Sequence, residues 1–324
     1  MSTTSPPLSL PPIGLGTFKT SITSSIYHAV KSGYRLIDCA AAYSNQEAVG
    51  DALQQLFEDG VVTRDDIFVV SKLPNTHHVW TEGVDEGRVE SSLKDTLKEL
   101  KLDKLDLFLM HWPFAFEDVN LHYPSARLSD GSPNPSVSMK CEYKSTWDAM
   151  VRFRDLGLCN QIGVSNFTIE QMEDLKSHSA VTPFCNQFEY HPYCTNDSLR
   201  KYCVDSGIKV MAYSPLGSGS SSYPPISGCS LLDNSVIKRI ATANSRSAAQ
   251  TLINWSTASD ENVVPVVKSE NEGRIVENMA ALGWELSRDA VENISDLNEN
   301  YRFFKSYGGV NGGWHDGVLE ARGE

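Results

Sequence analysis

No C-x-x-C pair occurs in this sequence, and its seven cysteines (Cys39, Cys141, Cys159, Cys185, Cys194, Cys203 and Cys229) are odd in number. That pattern fits neither a zinc module nor a disulfide framework. Reduced, structural thiols in an intracellular, cytoplasmic protein are the expectation. Basic residues are few as well: 28 Lys and Arg stand against 41 Asp and Glu, a net charge of −13. Without clustered cations the chain is not expected to hold nucleic acid or an anionic membrane surface. A small anionic ligand gripped by a few local cations is still allowed. No apolar run approaches the ~20 residues that span a bilayer. The segment "MSTTSPPLSLPP" lacks the basic-then-apolar order of a secretory signal. The four N-x-[ST] triplets, at Asn166, Asn196, Asn254 and Asn293, are therefore read as chance matches. Linkers and low-complexity blocks are also missing, so residues 1–324 are read as a single domain.

What is present is a repeating unit: a short apolar run ending in a polar residue, then a longer helical pattern. The runs are "IGLGT" (13–17), "YRLID" (34–38), "IFVVSK" (67–72), "LDLFLMH" (105–111), "QIGVSN" (161–166), "FCNQFEY" (184–190), "KVMAYS" (209–214) and "NVVPVVKS" (262–269). Among the helical segments, "EGRVESSLKDTLKELK" sets Val89, Leu93, Leu97 and Leu100 in one apolar stripe. "SAAQTLINWSTA" and "RIVENMAAL" read similarly, and Thr195 or Asn196 is expected to cap a helix running through Tyr202. Continuous apolar strands alternating with helices imply a parallel sheet covered on its outer face. Eight such units imply an α/β fold closed into a (β/α)₈ TIM barrel. A doubly wound sheet is the runner-up, but "GLGTFK" does not supply its G-x-G-x-x-G turn. The proline-rich start suggests a β-hairpin plugging the barrel bottom. The stretches 114–141 and 217–232 and the tail 301–324 are too long for plain connections, and the first two, which follow strands four and seven, are expected at the C-terminal mouth, where barrel enzymes keep their active sites.

The strand ends carry Asp38, Lys72, His111, Asn166, Gln187, Ser214 and Lys268, which a barrel points toward one rim. Burying an acid, a lysine and a histidine on three adjacent strands is costly unless they pair or face a ligand. A tyrosine ionises near ~10, and an adjacent ammonium held by an aspartate is expected to lower that value. A neighbouring histidine orients a carbonyl oxygen. Asp38, Tyr43, Lys72 and His111 therefore read as a general-acid assembly.

In the order in which they occur, "GLGT" (14–17), "YRLIDCAAAYSNQEAVG" (34–50), "VVSKL" (69–73), "DLFLMHWP" (106–113), "IGVSNF" (162–167), "NQFEYHPY" (186–193), "AYSPLG" (212–217) and "KSENEGRIVEN" (268–278) resemble the aldo-keto reductase family of aldose, aldehyde and xylose reductases. The resemblance implies a catalytic tetrad of Asp38, Tyr43, Lys72 and His111, with Tyr43 donating a proton as hydride reaches the carbonyl carbon. It implies cofactor contacts from Gly16 and Thr17 and a carboxamide site of Ser165, Asn166 and Gln187. Tyr213 would lie under the nicotinamide ring, with Ser214, Leu216 and the turn at Gly217 along the pyrophosphate. Lys268, Ser269, Asn271 and Arg274 would grip a 2′-phosphate, with Glu277 and Asn278 at the adenine, so NADPH is the implied cofactor. Glu270 inside that clamp departs from the pattern and leaves NADH open. Phe18, His111 and Trp112 are the implied pocket walls, although Pro74 stands where many animal members carry a tryptophan. The tail would fold over the mouth. A small carbonyl compound is the implied substrate, and a monomer or homodimer the implied assembly. The competing readings are a nicotinamide-binding sensor or auxiliary subunit on the same barrel, and a metal hydrolase using Asp38 and His111. The latter leaves Lys72 unexplained, and the His77–His78 pair near Asp85 lacks a third ligand at telling spacing, so no metal is expected.

Overall fold

The computed structural model describes residues 9–18, 22–79, 86–116, 137–138, 143–217, 228 and 230–304. Eight parallel strands close into a barrel, and each falls on one of the apolar runs. They are β1 (Gly14–Gly16), β2 (Leu36–Asp38), β3 (Phe68–Leu73), β4 (Leu105–Met110), β7 (Cys159–Ser165), β8 (Cys185–Glu189), β9 (Lys209–Tyr213) and β10 (Val263–Val267). Around the barrel the order is β1-β10-β9-β8-β7-β4-β3-β2. The missing numbers, β5 (Ala115–Phe116) and β6 (Val137–Ser138), form a small antiparallel pair in the long connection after β4. Each is two residues long, too short to show as an alternating pattern in sequence.

Helices α1 (Ile22–Lys31), α2 (Gln46–Glu58), α3 (Glu86–Leu100), α4 (Tyr143–Asp155), α5 (Ile169–His178), α6 (Asp197–Asp205), α7 (Ser235–Ala243), α8 (Ala248–Ser259), α9 (Glu272–Met279) and α10 (Arg288–Ser295) connect the strands. The α3 stripe is buried as its spacing requires, with Val89, Leu93 and Leu100 fully covered. Each such side chain contributes about 1.5–3 kcal/mol. Helix α6 begins at the expected place, but neither candidate caps it in the expected way. Asn196 has φ 45°, and its side chain bonds the Glu189 carbonyl instead of the helix N–H groups. Thr195 turns its hydroxyl to Asp197.

Strand residues alternate between two apolar layers. Ile37, Val69, Phe108, Ile162, Phe188 and Val210 face outward and pack with the helices. Leu36, Phe68, Val70, Leu107, Leu109, Cys185, Met211, Val264 and Val266 form a separate inner cluster that fills the barrel. Leu10 packs against this inner cluster from the segment before β1. Residues 9–13 contain no strand, and the rest of the expected hairpin lies outside the described residues.

The strand period of two residues positions everything at the mouth. Moving two residues onward from Leu36, Val70, Leu109, Cys185, Met211 and Val266 reaches Asp38, Lys72, His111, Gln187, Tyr213 and Lys268. Of the expected strand ends, Asp38, Lys72, His111 and Gln187 are thus the next inward-facing layer above the apolar plug; on β9 that place belongs to Tyr213 and not Ser214, Asn166 falls on the outward parity of β7, and Lys268 is exposed.

Candidate active site

At the centre of this layer Lys72 is fully buried and Asp38 is 3% exposed. The Lys72 ammonium donates to both Asp38 carboxylate oxygens at 2.8 Å and to the Cys39 carbonyl at 2.8 Å. Three acceptors for three N–H donors satisfy a charge that burial would otherwise expel. A fourth, longer contact of 3.5 Å reaches the Tyr43 hydroxyl. The ammonium also lies 5.2 Å from the centre of the Tyr43 ring.

Tyr43 sits on a single 3₁₀ turn (Ala41–Tyr43) beyond β2, which carries its ring back over the barrel. Ser44 follows with φ 55°, and Asn45 anchors the turn by donating to the Thr17 carbonyl at 2.8 Å. The Tyr43 ring meets Phe18 at 5.0 Å and the His111 ring edge-on at 5.8 Å between centres. Although part of Tyr43 is exposed, burial and then the Asp38 and Cys39 charges push its phenol well above the ordinary value of 10.0. This corrects the expectation that Lys72 lowers it. Asp38 matches the ammonium oxygen for oxygen, so little net positive charge reaches the phenol and desolvation dominates.

His111 is 8% exposed, and burial, then Lys72, then His78 hold its ring well below the usual 6.5. It is a neutral imidazole across the neutral range, and its Nδ1 is buried with no hydrogen-bond partner. The peptide carbonyl of His111 accepts from Asn166 Nδ2 at 3.0 Å.

The remaining mouth residues form one network. Gln187 Nε2 donates to Asp38 Oδ1 at 2.8 Å, so Asp38 is held from both β3 and β8. Ser165 Oγ donates to the Gln187 carbonyl, Asn166 Nδ2 to Ser165 Oγ, and the Tyr213 hydroxyl to Asn166 Oδ1 at 3.0 Å. Asn166 and Ser214 adopt left-handed backbone at φ 63° and 54°. Such conformations cost energy in non-glycine residues and cluster where a ligand is clamped. Thr17 is buried with its hydroxyl on the Asp38 carbonyl at 3.0 Å, while Gly16 brings bare backbone to the rim beside Asp38. Of the pocket walls, Phe18 touches Tyr43, whereas Trp112 packs on Phe114 at 5.6 Å. Pro74 precedes a 3₁₀ turn (Asn75–His77) tied to the Phe114 carbonyl.

A second group lies where β10 runs into α9. Asn271 caps α9 by accepting the Arg274 N–H at 3.0 Å, and Ser269 Oγ accepts the Asn271 N–H at 3.1 Å. Lys268 and Arg274 are exposed, and neither forms an ion pair among the described residues. Glu270 is exposed. Glu277 is half-buried with its carbonyl bonded to Gln250, and Asn278 is buried. Leu216 packs in a third apolar cluster with Tyr301 and Phe303. Residues 305–324 and Asp85 lie outside the described residues.

One functional candidate escaped the sequence reading. Glu189 is the last residue of β8 and stands two positions beyond Gln187, on the same inward column. It is fully buried beside His191, and its register partner is Tyr213. The inward parity of 185, 187 and 189 was the available signal.

Against known proteins, residues 13–299 match the model of the Aldo/keto reductase family. The chain is 38% identical over 310 residues to aldo-keto reductase family 1 member A1 of Gallus gallus, covering 94% of this chain and 90% of that relative. It is 36% identical over 298 residues to aldose reductase C of Dictyostelium discoideum, covering 90% and 88%. Among solved structures, a Bombyx mori aldo-keto reductase in complex with NADP aligns with a TM-score of 0.77 and 32% identity over 95% of this chain and 94% of that one.

Proposed function

Because the chain belongs to the aldo/keto reductase family, we propose that it reduces an aldehyde or ketone to the alcohol using a nicotinamide cofactor, NADPH in preference to NADH. The observation that carries this reading is the Asp38–Lys72–Tyr43–His111 cluster on the inward rim of the barrel. The residues present also fit the cofactor. Lys268 and Arg274 flank the N-terminus of α9 and form no ion pair among the described residues, an arrangement that suits a phosphomonoester. Ser165, Asn166 and Gln187 would hold the carboxamide, Tyr213 the nicotinamide face, and the Ser214–Gly217 turn the pyrophosphate. When bound, the cofactor supplies the hydride.

The rest belongs to this chain. His111, neutral because it is buried, offers an N–H to the carbonyl oxygen and orients it toward Tyr43. Tyr43 keeps its proton until negative charge develops on that oxygen, then donates it. The Lys72 N–H that stands 3.5 Å from the Tyr43 oxygen turns to hydrogen-bond the phenolate left behind, and Asp38 holds Lys72 in place with help from Gln187. Phe18 and the rings of Tyr43 and His111 make an apolar wall that limits water at the reacting carbon. An auxiliary-subunit role would account for the cofactor residues but gives this cluster nothing to do. A cytoplasmic setting is part of the reading, supported by five buried free thiols among the described residues.

The test is to follow oxidation of NADPH and of NADH by the purified protein against aldoses, simple aldehydes and ketones. Turnover with NADPH and at least one carbonyl class supports the reading. No oxidation of either cofactor with any of them contradicts it.

A further inference from the structure

Glu189 is a charged side chain with no exposed surface, and the reaction described above does not use it. Its Oε1 accepts the Phe303 N–H at 2.7 Å and the His191 Nε2 at 2.8 Å, while Oε2 accepts the Phe304 N–H at 3.1 Å. Burial alone would raise this carboxyl, but His191, Arg302 and the Phe303 N–H together hold it below its ordinary value, so it bonds as a carboxylate. Two consecutive backbone N–H groups, more than 110 residues away in sequence, are thus fastened to the end of β8. Asn196 adds a second tie: its Nδ2 donates to the Glu189 carbonyl and its Oδ1 accepts from Arg302. A third is the Tyr301 N–H on the Tyr193 carbonyl at 2.8 Å.

The fastened segment touches two candidate cofactor residues. Phe304 meets the Tyr213 ring edge-on at 5.7 Å between centres. Phe303 covers Gly217, where φ is +74° and an added Cβ would stand 3.1 Å from the Phe303 ring. Tyr213 is itself the register partner of Glu189, so the carboxylate, the ring and the captured backbone share one corner of the mouth.

We propose that Glu189 is a positioning residue that clamps the Phe303–Phe304 backbone against Tyr213 and Gly217, and so sets the seat for the nicotinamide and the pyrophosphate of the cofactor. The inference rests on the reading of Tyr213 and Gly217 given under the proposed function. It assigns Glu189 no contact with substrate or cofactor. The Lys268–Arg274 group belongs to β10 and α9 and shares none of the clamp's hydrogen bonds. Affinity for the adenosine half is therefore independent of the clamp.

The test compares two probes, NADPH and adenosine 2′-monophosphate, binding to the full chain and to Glu189→Gln. A glutamine keeps the volume but presents an amide N–H₂ where one carboxylate oxygen accepted. Losing one charge-assisted bond should weaken NADPH about tenfold and leave adenosine 2′-monophosphate within about twofold. Phe304, 41% exposed, permits a second variant with little risk to folding. Phe304→Leu should show the same split, and the double variant should be little weaker than either single one. A merely structural Glu189 would weaken both probes together or neither, and either result overturns the proposal. If Glu189→Gln does not fold, undiminished NADPH affinity in Phe304→Leu overturns it alone. Wild-type protein that binds no NADPH refutes the functional reading instead. The two failures are distinguishable because the clamp concerns only the difference between variant and wild type.

Discussion

Lys72 has no exposed surface, and both oxygens of Asp38 stand 2.8 Å from its ammonium. At the distance of Tyr43 these charges largely cancel, so the phenol stays protonated through the neutral range. A donor in that state is fully loaded and yields its proton only to a strong base such as a developing alkoxide. With His111 also neutral, kcat for carbonyl reduction should be flat from about pH 6 to about pH 9. A pH–rate series checks this, and a histidine-like inflection near neutrality would contradict it. Arg274 raises a separate residue-scale expectation. Replacing it with Ala should weaken NADPH by about ten- to a hundredfold, the worth of one charge-assisted phosphate contact, and change NADH little. Equal weakening in a binding titration would show the clamp is misplaced. Asp38, Lys72 and His111 were legible in sequence because each ends an apolar run on an adjacent strand. The protonation of Tyr43 was not, since it turns on how completely Asp38 neutralises Lys72. Nor was Glu189, whose partners, Phe303 and Phe304, are remote in the chain.

Elements were readable where burial is one-sided or complete, and unreadable where a backbone detail decides. The α3 stripe and the eight barrel strands announced themselves through spacing. The 3₁₀ turn that presents Tyr43 depends on a left-handed Ser44, and the β5–β6 pair on two-residue strands, and neither leaves a periodic trace. Gly50, in the middle of α2, illustrates the difference. Propensity alone says that Ala there would gain about 1 kcal/mol. Yet an added Cβ would stand 2.4 Å from the Glu99 carbonyl oxygen and 2.9 Å from the Leu100 carbonyl carbon, because the glycine lets α2 and α3 approach closely. Overpacking against backbone costs about 1–3 kcal/mol or more and wins over propensity. Gly50→Ala should therefore lower the urea midpoint. Gly87→Ala in α3, with nothing within 4 Å of the new methyl, should leave it unchanged or raise it slightly. The opposite ranking would show that the α2–α3 contact is looser than described.

Across the whole molecule, two imidazoles, those of His78 and His111, are buried without charge, and that burial has a cost in acid. His78 is pushed down to about 3 by burial and then His77, and His111 well below 6.5. Below the unfolded value of 6.5 the unfolded chain binds protons that the folded one refuses, so stability falls as pH falls. Between pH 7 and pH 5 the loss is about 2 kcal/mol per histidine, read from urea unfolding, and His78→Gln should remove about half of it. A stability independent of pH over that interval would contradict the burial of both rings. The central claim is that Tyr43 supplies the proton while other residues hold the cofactor. Its most direct test is Tyr43→Phe, measured for carbonyl turnover and for NADPH affinity on the same preparation. Turnover should fall by at least about a hundredfold, the scale of a lost general acid, while NADPH affinity stays within about threefold. Retention of full turnover by the phenylalanine variant would contradict the account.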